Sequence, residues 1–171
     1  MKIPFLITLL FSLIANLYSQ SEHNTQNRQQ NRLYLEISNN SRIESECIAL
    51  YCYTKSLIWK KADTLFSQLP LNSTLKYFDT SSHVIKYYAF LRILKFNDNV
   101  AFQKLQQVIA DSSKVLFQFD DYGGEEKLNQ ILVSEYKMFI FSKYRNNSKL
   151  WKTKYSQLER LLLLHGLKPS K

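Results

Sequence analysis

The sequence predicts an all-α protein, built as a short α-α solenoid in which antiparallel helix pairs stack on one another. Three observations lead to this fold class. Glycine and proline are rare, with three of each in 171 residues, which disfavours a turn-rich β fold. The stretch from Phe78 to Phe96 is apolar nearly all round if it is helical, and such a helix is buried between neighbours. The hydrophobic pattern also returns after forty residues, within the range of two-helix repeats.

The first nineteen residues have the pattern of an export signal. Lys2 precedes an apolar run from Ile3 to Leu17, which is about the length of a signal-peptide core and shorter than the ~20 residues that span a bilayer. Ser19 is a small residue suited to the position before the cleaved bond. We therefore expect residues 1–19 to be a cleaved signal peptide and the mature protein to be periplasmic or secreted. Retention of the segment as an anchor is the alternative.

Residues 20–40 are predicted to be a polar, largely disordered tether. Gln20 to Arg32 contains no apolar residue, and a segment with nothing to bury does not fold by itself. The remaining residues, 41–171, are predicted to form a single α-helical repeat domain with a basic C-terminal helix.

The first helical region follows the tether. Ser41 and Glu44 have the spacing of a capping box, in which a serine and a glutamate three residues later satisfy the free N–H groups of a helix start. Apolar residues then recur at helical spacing until Pro70, which ends the pattern. We expect one long helix, or two consecutive ones, between Arg42 and Leu69.

Cys47 and Cys52 are the two cysteines of the chain. Export would permit a disulfide, but residues five apart on an intact helix are about 8 Å apart, beyond the reach of a disulfide. Either the helix is broken at this point or both thiols are free. We expect buried free thiols, since cysteine often behaves as a small core residue.

Residues 82–96 are predicted to form the core helix. Ten of these fifteen positions are apolar or aromatic, and the segment from Asp79 to Ser82 offers short oxygen-bearing side chains for the N-cap. The next helix is expected from Val100 to Ala110, with Asp98 or Asn99 as its cap.

A forty-residue shift aligns this core helix with the preceding region. It places Ser41 on Ser81, Ala49 on Ala89, Lys55 on Lys95 and Leu65 on Leu105. The segment from Ser81 to Phe90, SSHVIKYYAF, resembles the turn and second-helix start of a HEAT-type repeat, and the chain is similar to small exported bacterial HEAT-like proteins of uncharacterised function. Lys86 stands where arginine is usual in that pattern, and His83 where proline is common. The resemblance implies a fold and no chemistry.

The stretch after Val115 is different in character. Val115 to Tyr122 reads as extended, two glycines interrupt it, and a helix is expected from Glu125 to Tyr144. The acidic cluster of the chain lies here and consists of Asp120, Asp121, Glu125 and Glu126. A carboxylate pair for hydrolysis is one interpretation of these residues, and a solvated turn followed by helix-head charges is the other.

The C-terminal end carries nearly all the excess positive charge. The full chain has 23 basic and 14 acidic residues, and residues 143–171 contribute eight basic residues against Glu159 alone. Trp151, Leu158 and Leu162 give the last helix an apolar stripe, and Gly166 with Pro169 ends it. The predicted partner-binding basic face consists of Lys143, Arg145, Lys149, Lys152, Lys154 and Arg160.

These features favour an exported, non-catalytic helical module that binds a protein partner, which the basic face suggests is acidic. The sequence contains no HExxH, G-x-S-x-G or P-loop motif, and we expect no catalytic residue, cofactor or metal. Two alternatives stay open: a small hydrolase that uses the acidic cluster, and a protein that binds an anionic membrane surface through its basic C-terminal helix. Nucleic acid is an unlikely partner for an exported chain, and no pattern in the sequence predicts an oligomeric state.

Overall fold

The computed structural model describes residues 20, 24–48, 52, 54–80 and 82–167. The predicted signal peptide, residues 1–19, lies outside the described residues, as do the final four residues of the chain. The described part is mostly helical, as predicted, but it contains a three-stranded sheet that the all-α prediction missed.

Seven helices and three strands follow one another in the described part of the chain. Helix α1 covers residues 24–38. After it come β1 (Arg42–Glu44), α2 (Leu57–Ser67), α3 (Leu71–Phe78), α4 (His83–Phe96), α5 (Asp98–Val108), β2 (Lys114–Phe119), β3 (Tyr122–Lys127), α6 (Leu128–Tyr144) and α7 (Ser148–Leu164).

Helix α4 is the centre of the core, as its all-round apolarity predicted. It contacts α2, α3, α5, α6 and β1, and Tyr87, Phe90 and Ile93 are buried in it. Burying a large apolar side chain stabilises the fold by roughly 1.5–3 kcal/mol, so α4 makes a large contribution to the hydrophobic free energy of folding. Its tyrosines serve packing.

The helix starts are capped by side chains close to the predicted positions. Ser82 accepts a hydrogen bond from the backbone N–H of Ile85 at the start of α4. Asn97, one residue before the predicted candidates, accepts from the N–H groups of Asn99 and Val100 at the start of α5. Such a cap satisfies donors that have no partner within the helix.

The sheet has the order β1-β2-β3, with β1 parallel to β2 and β3 antiparallel to it. Ile43 pairs with Phe117, and both are buried. At the outer edge of β1, the N–H of Glu44 donates to the Tyr88 hydroxyl (3.1 Å), which in turn donates to the carbonyl of Glu44 (2.8 Å). The capping box predicted at Ser41 and Glu44 is therefore wrong, because Glu44 lies in a strand whose pairing partners are distant in sequence.

Cys47 and Cys52 form a disulfide, which overturns the prediction of free thiols. No α-helix covers the described residues between β1 and α2, where Cys52 lies in a 3₁₀ turn, so the premise of an intact α-helix fails. The backbone instead turns back, with Cys52 at φ +60° and Cys47 bridged to Lys55. The two Cα atoms lie 4.8 Å apart, within the range that a disulfide spans.

Helix α1 occupies much of the segment predicted to be a disordered tether. Ile37 is fully buried, and Glu36 forms an ion pair with Lys61 of α2 (3.0 Å). Residues 20–32 are polar, and the prediction of disorder was extended from them to residue 40. It overlooked the apolar side chains between residues 33 and 37, which dock the end of α1 onto the core.

Candidate functional site: the basic face of the last two helices

Five of the six predicted basic residues are exposed: Lys143, which is described below, and four others near the C-terminal end of the chain. Arg145 follows α6, and Lys149, Lys152 and Arg160 belong to α7. At 100° per residue, the three side chains on α7 fall within an arc of about 80°. None of the four forms an ion pair with any described residue. These four residues, Arg145, Lys149, Lys152 and Arg160, define what we call the outer basic face.

The other two predicted residues do not belong to that face, because they bind Asp98. Lys143 Nζ lies 2.8 Å from Asp98 Oδ1, and Lys154 Nζ lies 2.8 Å from Asp98 Oδ2. Lys154 is buried, with 8% of its surface exposed, and it also donates to Asn99. The Tyr144 hydroxyl lies 3.1 Å from both oxygens of Asp98. The charges of Lys143 and Lys154 are therefore compensated within the fold, and Lys154 is also buried.

Asp98 is the residue that sequence reasoning missed at this site. It stands at the start of α5 and is 5% exposed. Burial raises the pKa of a carboxyl group, but the hydrogen bonds and charges of Lys143 and Lys154 outweigh that effect and lower the pKa of Asp98 to about 2. The same contact raises the pKa of Lys143. The Asp98 carboxylate thus joins α5, α6 and α7 through charge-assisted hydrogen bonds.

Aromatic side chains lie beside the outer basic face. The Trp151 ring stacks on Tyr155 with centroids 5.1 Å apart, and Phe141 meets Trp151 edge-on at 6.3 Å. Phe141 is 59% exposed and Met138 is 58% exposed, so α6 presents apolar surface to solvent. Arginine, methionine and aromatic residues together are typical of the centre of a protein interface.

The four carboxylates of the acidic cluster do not converge on one point. Asp120 and Asp121 lie at the turn between β2 and β3, and both are exposed. Glu125 and Glu126 are in β3, where the helix was predicted to begin, and consecutive strand residues point to opposite faces of a sheet. Glu125 forms an ion pair with Lys114 (2.7 Å). The expected helix head is therefore wrong, and β3 does not bring its two glutamates together as a carboxylate pair.

A second titratable group that the sequence did not indicate is Glu135 of α6. It accepts a hydrogen bond from the buried Tyr87 hydroxyl (2.8 Å). Burial raises the pKa of Glu135, and this hydrogen bond opposes the rise without cancelling it. No cation among the described residues forms an ion pair with this carboxyl group. A single carboxyl group bound to a packing tyrosine does not form an acid–base pair.

Two further observations concern the described residues only. Nowhere in residues 24–48, 54–80 and 82–167 do three or more histidine, cysteine, aspartate or glutamate side chains gather as a metal site would require. None of the helices formed by the described residues has the length and hydrophobicity needed to cross a membrane.

Comparisons with known proteins give no relative. No protein family matches the chain, and neither a curated protein nor a solved structure shows significant similarity to it.

Proposed function

We propose that this protein is an exported, non-catalytic helical module that binds an acidic protein partner through the outer basic face. The observation that carries the proposal is the set of four exposed cations without an ion-pair partner among the described residues. Natural surfaces commonly intersperse both signs of charge. A local excess of one sign attracts partners of the opposite sign and raises their association rate.

The disulfide supports export. Disulfides form and persist in the periplasm and outside the cell, and they are rare in the cytosol, where thiols are kept reduced. Cys47 and Cys52 are joined, and the N-terminal sequence has the composition of a signal peptide. The two features agree on a periplasmic or secreted location.

We further propose that the helices form a short HEAT-like solenoid of antiparallel pairs. Contacts between helices adjacent in sequence support this, since α3 packs on α4, α4 on α5 and α6 on α7. In repeat proteins the terminal repeat needs a polar outer face, and α7 would be that terminal element. The outer basic face would then be presented at the open end of the stack.

This proposal is tested by comparing two variants that each lose three positive charges. The first changes Lys149, Lys152 and Arg160 to glutamine. The control changes Arg28, Lys60 and Lys95, which are also exposed and lack ion pairs in the described structure. Cross-linking in the native envelope, followed by affinity purification, should give one reproducible partner with the wild type and the control. That partner should be lost with the first variant and at high salt. Equal recovery with both variants would refute the proposal.

An anionic membrane surface is the second candidate, favoured by two exposed leucines at the end of α7. Leu163 is 67% exposed and Leu164 is 83% exposed, and apolar side chains beside cations are typical of interfacial helices. Flotation with vesicles of phosphatidylglycerol and phosphatidylcholine, against phosphatidylcholine alone, distinguishes the two. Salt-sensitive binding to the anionic vesicles, lost in the α7 variant but not in its control, would favour the membrane over a protein partner.

A further inference from the structure

A cavity of about 420 Å³ opens between α1 and α3, on residues other than those of the outer basic face. Small-molecule sites commonly have volumes of about 300–1,000 Å³, so the cavity can hold a ligand of one or two sugar rings. Its lining consists of Gln30, Asn31, Tyr34, Leu69, Ser73, Lys76, Tyr77 and Thr80.

Two tyrosine rings form the aromatic part of the lining. The centroids of Tyr34 and Tyr77 lie 5.6 Å apart, with the rings tilted by 40°. Phe66 meets Tyr77 edge-on at 5.7 Å and holds it from behind. Because a half-buried tyrosine presents an apolar face and a polar hydroxyl, it suits a ligand that is itself apolar on one side and polar at its rim.

The remaining lining is rich in hydrogen-bonding groups. Gln30 and Asn31 carry amides that both donate and accept, and Ser73 carries a hydroxyl. The hydroxyl oxygen of Thr80 is buried and has no hydrogen-bond partner among the described residues. Because this oxygen is itself buried, hydrogen bonds to a ligand in the cavity would come from the two amides and the Ser73 hydroxyl.

The charge on the cavity lining is positive. Lys76 is the charged residue among the lining residues, and it is exposed, with no ion pair to any described residue. Asp79 follows nearby in the chain, but its two oxygens accept hydrogen bonds from Lys104 at 2.8 and 3.1 Å. The cavity therefore favours an anionic group over a cationic one.

We propose that this cavity binds an acidic saccharide of one or two rings. The apolar face of a sugar ring would lie against Tyr34 and Tyr77, and its hydroxyl groups would exchange hydrogen bonds with the amides and with Ser73. The carboxylate would pair with Lys76. A neutral sugar would lack that charge-assisted contact, which is the stronger kind of hydrogen bond.

Isothermal titration calorimetry of the oxidised protein tests this, with digalacturonate as the probe and a neutral disaccharide, maltose, as the reference. We expect saturable binding of digalacturonate and at least about tenfold weaker binding of maltose. Lys76→Gln should weaken the binding of digalacturonate by about tenfold, whereas Lys60→Gln, which removes an exposed charge elsewhere, should leave it unchanged. Tyr34→Leu should weaken both ligands together.

Three results would overturn the proposal. The first is no saturable binding of digalacturonate up to about 10 mM, the weak limit of a specific site. The second is equal affinity for the two disaccharides. The third is digalacturonate binding that neither Lys76→Gln nor Tyr34→Leu changes in variants whose circular dichroism matches the wild type. The cavity contains no residue of α7, so the variant with Lys149, Lys152 and Arg160 changed to glutamine should still bind digalacturonate. A loss of the protein partner in that variant can therefore be distinguished from a loss of saccharide binding.

Discussion

Replacing Asp98 with asparagine tests whether the buried carboxylate holds α5, α6 and α7 together. The substitution keeps the size of the side chain and removes its charge. It leaves Lys154 buried, with 10% of its side chain exposed, and opposite a neutral group. Removing one partner of a buried ion pair typically costs about 3–5 kcal/mol, because the other charge stays buried and uncompensated.

The structure places the expected cost near the lower end of that range. The contact with Lys143 is partly exposed, since 42% of that side chain is accessible, and an exposed pair contributes only about 0–1 kcal/mol. The buried contact with Lys154 accounts for most of the effect. We expect Asp98→Asn to lower the free energy of unfolding by about 3 kcal/mol at pH 7, and the melting temperature by about 6–12 °C.

The pH dependence gives a second, independent figure. The pKa of Asp98 falls from 3.8 to about 2 in the folded protein, which corresponds to about 2 kcal/mol before solvent screening reduces it. Because the pKa is lower in the folded state, this stabilisation is fully present above about pH 4 and is lost as the pH falls toward 2. The stabilities of the wild type and the variant should therefore approach each other in that window.

Urea unfolding monitored by circular dichroism between pH 2 and pH 7 measures both effects. Asp63→Asn is the matched control, because Asp63 is exposed and forms no ion pair within the described chain. It should change stability by no more than about 0.5 kcal/mol. The double variant Asp98→Asn with Lys154→Met removes the uncompensated charge and should regain part of the loss. An Asp98→Asn cost below about 1 kcal/mol, or one that persists unchanged at pH 2, would refute the reasoning.

Three further substitutions test the sheet edge, the second buried carboxyl group and the disulfide. Tyr88→Phe removes the hydroxyl that closes the edge of β1 and should cost about 1–3 kcal/mol in urea unfolding, whereas Tyr122→Phe, at a 70% exposed side chain, should cost little. Burial raises the pKa of Glu135 in the folded protein. The protonated side chain therefore stabilises the fold at low pH, and this stabilisation is lost as the pH rises through the pKa of the folded state. Glu135→Gln should accordingly be more stable than the wild type at pH 7 and not at pH 4. Replacing Cys47 and Cys52 by serine should cost about 2 kcal/mol, as estimated for a short closed loop, and should abolish the effect of dithiothreitol on unfolding.

The parts of the fold that were predicted best are those whose pattern involves residues close together in the sequence. Residues 82–96 are apolar nearly all round, which is sufficient to place them in the core, and Ser82 caps the resulting helix. The extended character of the stretch after Val115 likewise agrees with β2. The stop predicted at Gly166 also agrees with α7, which ends at Leu164.

The missed features depend on partners that are far apart in sequence. Glu44 was assigned to a helix because Ser41 has capping-box spacing, yet its backbone bonds the Tyr88 hydroxyl 44 residues later. A pairing of this kind competes successfully with local propensity, because each buried backbone group must find a partner. The break in helical structure that allows Cys47 to reach Cys52 follows from the same strand.

The burial of Lys154 has a signal that the sequence did contain. On a helix, Lys154 lies one turn before Leu158 and two turns before Leu161, and residues at that spacing share a face. Both leucines are buried, so helix geometry places Lys154 on the inner side of α7. The sequence could not show its partner, since Asp98 lies on another helix.

This arrangement links the stability of the end of the molecule to its surface charge. Asp98 neutralises the inner lysines, Lys143 and Lys154, while Lys149, Lys152 and Arg160 lie exposed without ion pairs in the described structure. The inner contact fixes the rotation of α7 about its own axis, and that rotation determines where the outer cations lie. A rotation of about 100°, one residue of helix, would carry Lys154 away from Asp98. The buried ion pair between Asp98 and Lys154 thus helps to orient the surface through which we propose that the protein binds its partner.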